Sequence, residues 1–310
     1  VHCALLYRDV GELLRGVHAF LDADGGAAEP ALVIVPGERI GPLRSALGSG
    51  LHRDITFADM RELGRNPARI VPAILGFAER HPGRRVRCVS EPVWVGRSYD
   101  EVAEAVRHEA LVNLALAGLP LRVLCAYDTT LLDEQAVADA ELTHPAICCG
   151  GDLLPSPAYA DPVETWRARS RPLSARPATA HGVTFDASGL ALVRRLVRER
   201  GARAGLPAAR IHDLLLAVTE TATNALVHGD GDCRLHVWQD GHEQLVFEIA
   251  DSGTFDDPLA GRLLPVSAEA GGRGLWIVNQ LCDLVEMRPE QDGTVVRLHV
   301  ALEDAALPSY

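Results

Sequence analysis

The chain contains no lysine; every one of its basic residues is arginine. The ordinary source of such a bias is GC-rich coding, but the consequence is chemical. A Walker phosphate loop needs its lysine, a protein-kinase fold needs its strand lysine, and Schiff-base chemistry needs an amine, so all three are excluded in their usual forms. Aromatics are also scarce, at 5% of residues. No apolar run approaches the ~18 residues that a membrane helix requires. Positive charge is in deficit: the net charge is −12, which argues against a broad phosphate-backbone footprint and for protein or small-molecule partners, with no direct nucleic acid and no membrane. None of the seven cysteines forms a C-x-x-C pair, and the odd count predicts reduced, mostly buried thiols. No basic start followed by an apolar stretch and a cleavage site is visible, which predicts a cytoplasmic chain, while Val1 leaves open a natural start further upstream.

What remains is globular composition, 47% hydrophobic over 310 residues, enough for two domains. In the first half, short apolar strands alternate with helical patterns. Strands are predicted at Ala4–Tyr7, Ala31–Val35, Ile55–Phe57, Val86–Ser90 and Leu121–Tyr127. Helices are predicted at Asp9–Leu21, Pro42–Leu47, Ala68–Arg80, Tyr99–Ala117 and Asp133–Glu141. This alternation predicts an α/β layer with a mainly parallel sheet. From 154 to 178 five prolines punctuate a polar stretch, which predicts a linker.

The second half predicts a strand at Val183–Phe185 and a helix at Ser188–Ala204 with Ser188 as N-cap. A second helix follows from Pro207 to His228, and a hairpin turns at Asp240-Gly241. A helix at Gly274–Asp283 and a closing hairpin across Asp292-Gly293 complete it. Two long helices followed by an antiparallel meander predict a two-layer α+β sandwich. The domain boundaries are therefore 1–153, a linker at 154–178, 179–303, and a tail at 304–310.

Three motifs in this half carry chemistry. Glu220 and Asn224 are four residues apart and share a helix face, with His228-Gly229 after them. A carboxylate and a carboxamide stacked in this way can hold Mg²⁺ and one of its waters, or they can be a solvated polar pair. Asp251-Ser252-Gly253 leaves an apolar strand, where the carboxylate can accept an adenine amine or make an ordinary Asx turn. Gly271-Gly272-Arg273-Gly274-Leu275 runs into an apolar helix, where bare backbone amides can approach phosphate.

In order and spacing these motifs resemble the GHKL superfamily of ATPases, which includes gyrase and the histidine kinases. Glu220 and Asn224 look like its N box, Asp251–Gly253 its G1 box and Gly271–Gly274 its G2 box; Thr294 falls where the family has a threonine near the adenine. The resemblance implies the Bergerat fold, ATP with Mg²⁺, Asn224 on the metal, Glu220 as general base and Asp251 on adenine. His228, Gly253 and Leu275 are implied around the nucleotide, with Arg262 and Arg273 near lid and phosphates. A sensor histidine kinase needs a phosphoacceptor histidine on a paired helical hairpin upstream, and here that stretch is broken by prolines. The domain looks most like the anti-sigma-factor serine kinases of partner switching. It thereby implies a sigma factor or a STAS-type anti-sigma-factor antagonist as partner, and a homodimer. Thr254 and Phe255 stand where a second G1 glycine is usual, and Pro258 and Pro265 imply a short, stiff lid. Two alternatives stay open: a nucleotide-binding switch that holds its partner without phosphoryl transfer, and an ATP-hydrolysing sensor unrelated to transcription.

The first half carries His2, Tyr7, Pro92-Val93-Trp94, Glu109 and Asn113 at helical i,i+4 spacing, Leu124-Cys125-Ala126-Tyr127-Asp128, and His144-Pro145. This set resembles the MEDS sensory domain, named from methanogens and methylotrophs, with hydrocarbon derivatives as its suggested ligands and a RecA-like sheet as its implied fold. His2, Glu109, Asn113, Tyr127, Asp128 and His144 are the candidate sensory-ligand residues; the alternative is that they stabilise strand ends and loops. His144 with Cys148 and Cys149 has irregular spacing for a metal or haem site.

Overall fold

The computed structural model describes residues 1–23, 29–48, 54–149, 152–229, 231, 233–241, 243–264 and 272–302. The chain divides into two compact units, Val1–Arg171 and Pro172–Tyr310. Among the described residues, no helix is long and apolar enough to cross a membrane.

The first unit runs β1 (His2–Tyr7), α1 (Val10–Asp22), β2 (Ala31–Val35), α2 (Gly37–Leu47), β3 (Ile55–Asp59), α3 (Met60–Leu63), α4 (Ile70–Glu79), β4 (Val86–Ser90) and α5 (Tyr99–Ala115). It continues with β5 (Leu121–Asp128), α6 (Glu134–Thr143), β6 (Ala146–Cys149), β7 (Asp152–Pro155) and α7 (Pro162–Ala168). The sheet order is β3-β2-β4-β5-β1-β6-β7. All pairings are parallel except β6 with β7, so the expected parallel α/β sheet forms with one antiparallel strand at its edge. Strand alternation divides the core in two. Leu5, Tyr7, Val33 and Leu124 face α1 and α2, while Ala4, Ile34, Cys88 and Tyr127 pack with residues of α4, α5 and α6.

Local chemistry starts these helices where the polar residues lie. Asp9 caps α1, Asp133 caps α6, and Ser98 with Glu101 forms a capping box on α5. Helix α5 is buried over nine consecutive residues, Glu104–Val112. Such a helix needs cover on more than one side, and α7 packs against it. Of the stretch expected as a linker, 162–168 is thus a helix, with Asp161 as N-cap and Trp166 buried. Residues 172–178 belong to the second unit: Arg297 donates to Ser174 Oγ at 2.8 Å, and Arg176 Nε lies 3.0 Å from Glu248.

The second unit runs β8 (His181–Phe185), α8 (Leu190–Arg203), α9 (Ala208–His228), β9 (Cys233–Asp240), β10 (Gln244–Asp251), α10 (Arg273–Leu281), β11 (Leu284–Glu290) and β12 (Gly293–Ala301). The five strands are antiparallel in the order β11-β12-β10-β9-β8. One core joins Leu235, Phe247, Ile249 and Leu298 of the sheet to Val197, Leu214, Val218 and Val278 of the helices, which is the expected two-layer α+β sandwich. Ser188 is not the N-cap of α8. It lies in a 3-10 turn that Asp186 caps by accepting from Ser188 N and Gly189 N, and the Ser188 hydroxyl is itself engaged there, donating to Asp186 at 2.6 Å.

Candidate functional site

Helix α9 buries Ala217, Val218, Thr221, Ala222 and Ala225 against the sheet. That leaves Glu220 and Asn224 half-buried at the edge of the layer. Opposite them lies the start of α10, which opens on Gly272 in the left-handed region (φ 79°) with no side-chain cap. Gly272 has no side chain with which to cap the first-turn amides, which can therefore meet an anion. Gly274 is the point of closest approach: a Cβ there would lie 2.8 Å from Glu220 Oε2 and 3.3 Å from Asn224 Nδ2. Glycine here lets the helix start sit on this polar pair without displacing either side chain.

The other end of the site is built by strand register. Asp251 ends β10 opposite Thr294 of β12. Asp251 Oδ1 accepts from Gly253 N at 2.7 Å, and Thr294 Oγ1 donates to Gly253 O at 2.8 Å. The turn thus fixes the carboxylate through one oxygen. Burial raises the Asp251 carboxyl above its usual range, with the Gly253 amide and His228 pulling the other way. Between the two ends opens a cleft of about 370 Å³. Its walls include Asn224, His228, Asp251, Gly272, Leu275 and Thr294, together with the apolar Phe255, Met287 and Val296.

In the first unit, β1 and β5 lie side by side, and Ala105 of α5 shares a core cluster with them. His2 Nε2 lies 3.4 Å from Glu109 Oε2 and 3.2 Å from Cys125 Sγ. His144, at the end of α6, places Nε2 3.1 Å from Glu109 Oε2. Tyr127 donates to Glu109 Oε2 at 3.3 Å, and the amide of Asn113 meets His2 Nδ1 at 3.2 Å. Five of the six expected residues are brought together. Asp128 is not among them: it leaves the sheet at the strand end and pairs with Arg39 at 3.1 Å. His144 does not group with Cys148 and Cys149 either. Cys148 packs in the core on the α1 and α2 side of the sheet, while Cys149 is exposed. A second polar group, not anticipated from sequence, lies at the strand ends, where Tyr7 donates to Glu91 at 3.0 Å. Burial pushes the Glu91 carboxyl up to about 7.

Residues 1–145 match the family model described as MEDS, the methanogen/methylotroph DcmR sensory domain. Residues 183–300 match that of the histidine kinase-like ATPase domain. The chain joins a MEDS domain to a histidine kinase-like ATPase domain. No curated protein matches it. Among solved structures, the RsbU and RsbW domains of a Mycobacterium tuberculosis protein are 20% identical with a TM-score of 0.31, covering 41% of this chain and 33% of that one. The match thus spans a third of that chain, and so weak a superposition adds nothing to the reading of either domain.

In the ATPase domain, six of the expected nucleotide residues line the cleft and Gly274 adjoins it. Gly253 is buried beneath the Asp251 turn. Arg273 is exposed, and Arg262 is buried away from the described cleft wall. Gly271 and the end of the expected lid segment 255–267, from Pro265 on, lie outside the described residues. Phe255, Met287 and Val296 were missed because they carry no motif; the alternation of β11 and β12 was the only signal that could have pointed to Met287 and Val296. Cys125 belongs to the Leu124–Asp128 motif, but that motif does not show the neighbours the fold gives it: His2, 123 residues earlier in the chain, Glu109 and His144.

Proposed function

We propose that the ATPase domain binds ATP with Mg²⁺ and phosphorylates a serine or threonine of a small STAS-type anti-sigma-factor antagonist. Its hold on that antagonist or on a sigma factor would be biased by a small ligand sensed at the MEDS domain. The observation that carries this reading is the seating of Gly274 on the Glu220–Asn224 pair at one end of a cleft whose other end is Asp251 and Thr294. The donor set fits the nucleotide. Asp251 is fixed through one oxygen and has a second with which to accept an exocyclic amine, and Phe255, Met287 and Val296 offer apolar walls to a flat ring. The uncapped start of α10 offers amides to phosphate, and Arg273 adds charge beside them. Asn224 offers an amide oxygen to the cation, and His228 and Leu275 close the wall.

Mg²⁺, when bound, supplies neutralisation of the phosphate charge. Glu220 is assigned to accept the proton of the attacking hydroxyl. The test is transfer of radiolabelled phosphate from ATP to a cognate antagonist. Glu220→Ala should abolish transfer while ATP still binds, and absence of transfer by the wild-type chain to any such antagonist would refute the kinase.

A second reading, a switch that holds nucleotide and partner without transfer, draws support from one feature. The described cleft wall contains Asn224 but not Glu220, whose carboxylate lies against Gly274. On that reading Glu220→Ala leaves partner release by ATP unchanged.

A further inference from the structure

We propose that His2, Glu109, Cys125 and His144 form a buried binding site for one divalent transition-metal ion, zinc by its donor set, inside the MEDS domain. This inference does not depend on what the ATPase domain does.

The four residues come from four places, β1, α5, β5 and the end of α6, and all four are buried; His144 is 0% and Glu109 2% exposed. Their ligand atoms lie within 4.8 Å of one another. Zinc takes nitrogen and oxygen at about 2.0–2.1 Å and thiolate at about 2.3 Å, so the edges of its tetrahedron are roughly 3.3–3.6 Å. The edges from Glu109 to His144, from Cys125 to His2 and from Glu109 to His2 are 3.1, 3.2 and 3.4 Å, and the other three are 4.8 Å or less. For the first three a small adjustment of side chains closes the difference.

The protonation pattern points the same way. His144 Nδ1 lies 2.8 Å from Ala140 O, and a carbonyl can only accept, so Nδ1 carries the hydrogen. Asn113 Nδ2 donates to Thr143 O at 2.9 Å, which turns its oxygen toward His2 Nδ1 and makes that nitrogen a donor as well. Both imidazoles therefore aim the lone pair of Nε2 at the Glu109 carboxylate. His144 Nε2, although 3.1 Å from Glu109 Oε2, makes no hydrogen bond among the described residues. Buried lone pairs that converge in this way are stabilised by positive charge between them, which a metal ion supplies. The fixed Nδ1 partners, Asn113 and the Ala140 carbonyl, are the outer contacts that orient metal-bound histidines. A mixed imidazole, carboxylate and thiol set of four donors suits zinc, whose structural sites are four-coordinate. On binding, the S–H bond of Cys125 breaks, the thiolate sulfur donates to the metal, and the proton leaves to solvent.

The test uses the full chain purified without chelators. Elemental analysis should find one zinc per chain. Replacing it with cobalt(II) should give the visible bands of a tetrahedral site and a thiolate charge-transfer band. Metal uptake in weak buffer should release one proton per ion. Cys125→Ser should lose the charge-transfer band and keep the tetrahedral bands, and Asn113→Ala should weaken affinity by about 10–100-fold. Circular dichroism and ATP binding by the second domain report folding of each variant. A folded wild-type chain that holds no stoichiometric metal, and whose spectrum does not change on adding cobalt or zinc, would overturn the proposal and leave a network held by protons alone.

Discussion

Replacing Gly274 by alanine separates stability from nucleotide binding. The residue lies in the first turn of α10, where alanine favours the helix over glycine by up to ~1 kcal/mol, so the fold should be retained or strengthened. The new methyl group would nevertheless arrive 2.8 Å from Glu220 Oε2 and 3.3 Å from Asn224 Nδ2, closer than carbon normally approaches either atom. Glu220 can swing its carboxylate away. Asn224 has a shorter side chain and must rotate or shift its amide, which moves the oxygen assigned to Mg²⁺. Losing one charge-assisted contact of this kind costs about 1.5–3 kcal/mol, or roughly 10–150-fold in Kd. Calorimetric titration of wild type and Gly274→Ala should show that loss for ATP with Mg²⁺ and a much smaller one for ADP in EDTA. The thermal midpoint should not fall. Unchanged affinity for ATP with Mg²⁺ would refute the placement of the pair at the phosphates. Equal losses for both ligands would show instead that the whole cleft had been deformed.

Asp251→Asn preserves the turn oxygen but places an amide donor where an adenine amine would approach; ATP affinity should fall by about 10–150-fold, the worth of a hydrogen bond to a charged group, and a titration with no loss would remove Asp251 from the purine site. Thr294→Val deletes the bond to the Gly253 carbonyl and leaves that oxygen without its donor; the expected cost is about 1–3 kcal/mol, read as a lowered denaturation midpoint of the ATPase domain. Glu91 has a carboxyl raised from 4.5 to about 7, so between those values the folded chain keeps a proton that the unfolded chain has released. Stability therefore falls as pH rises through that window, by up to about 3 kcal/mol, and Glu91→Gln should gain that much relative to wild type between pH 5 and pH 8 in urea denaturation; an equal effect at both pH values would refute the burial argument.

Strands β1, β2, β4 and β5 were legible because each is a short apolar run between helices, and their helices because polar caps and apolar faces coincide. The failures have local causes. Pro42 suggests a helix start, but α2 already begins at Gly37 and contains the proline in its second turn. Pro162 looks like a breaker within a proline-rich stretch, yet it occupies the first turn of α7, where its missing amide costs nothing. Missing α7 also hid the reason for α5. A helix carrying Glu104, Arg107 and Glu109 looks half-exposed until one sees that Arg107 pairs with Glu104 at 2.7 Å and lies over the Trp166 ring of α7. Strands β6 and β7 are four residues each, too short for periodicity to register.

The two candidate sites rest on the same sequence signal, a glutamate and an asparagine four residues apart on one helix. What separates them is what faces the pair. On α9 the partner is Gly274, which contributes backbone and no side chain, so Glu220 and Asn224 stay at the rim of an open cleft and can meet a ligand that comes and goes. On α5 the partners are two imidazoles and a thiol, so Glu109 is sealed in the core and Asn113 is committed to orienting His2. A helix face read alone cannot distinguish these outcomes, because the deciding residues lie elsewhere in the chain: Gly274 is 50 residues beyond Asn224, and His2, Cys125 and His144 lie on or at the end of three other elements, His2 more than a hundred residues before Glu109. The glycine cluster made the first pairing visible in advance. The second became visible only once the parallel sheet had set His2 beside Cys125, which is why the buried cluster belongs to the fold as much as to any motif.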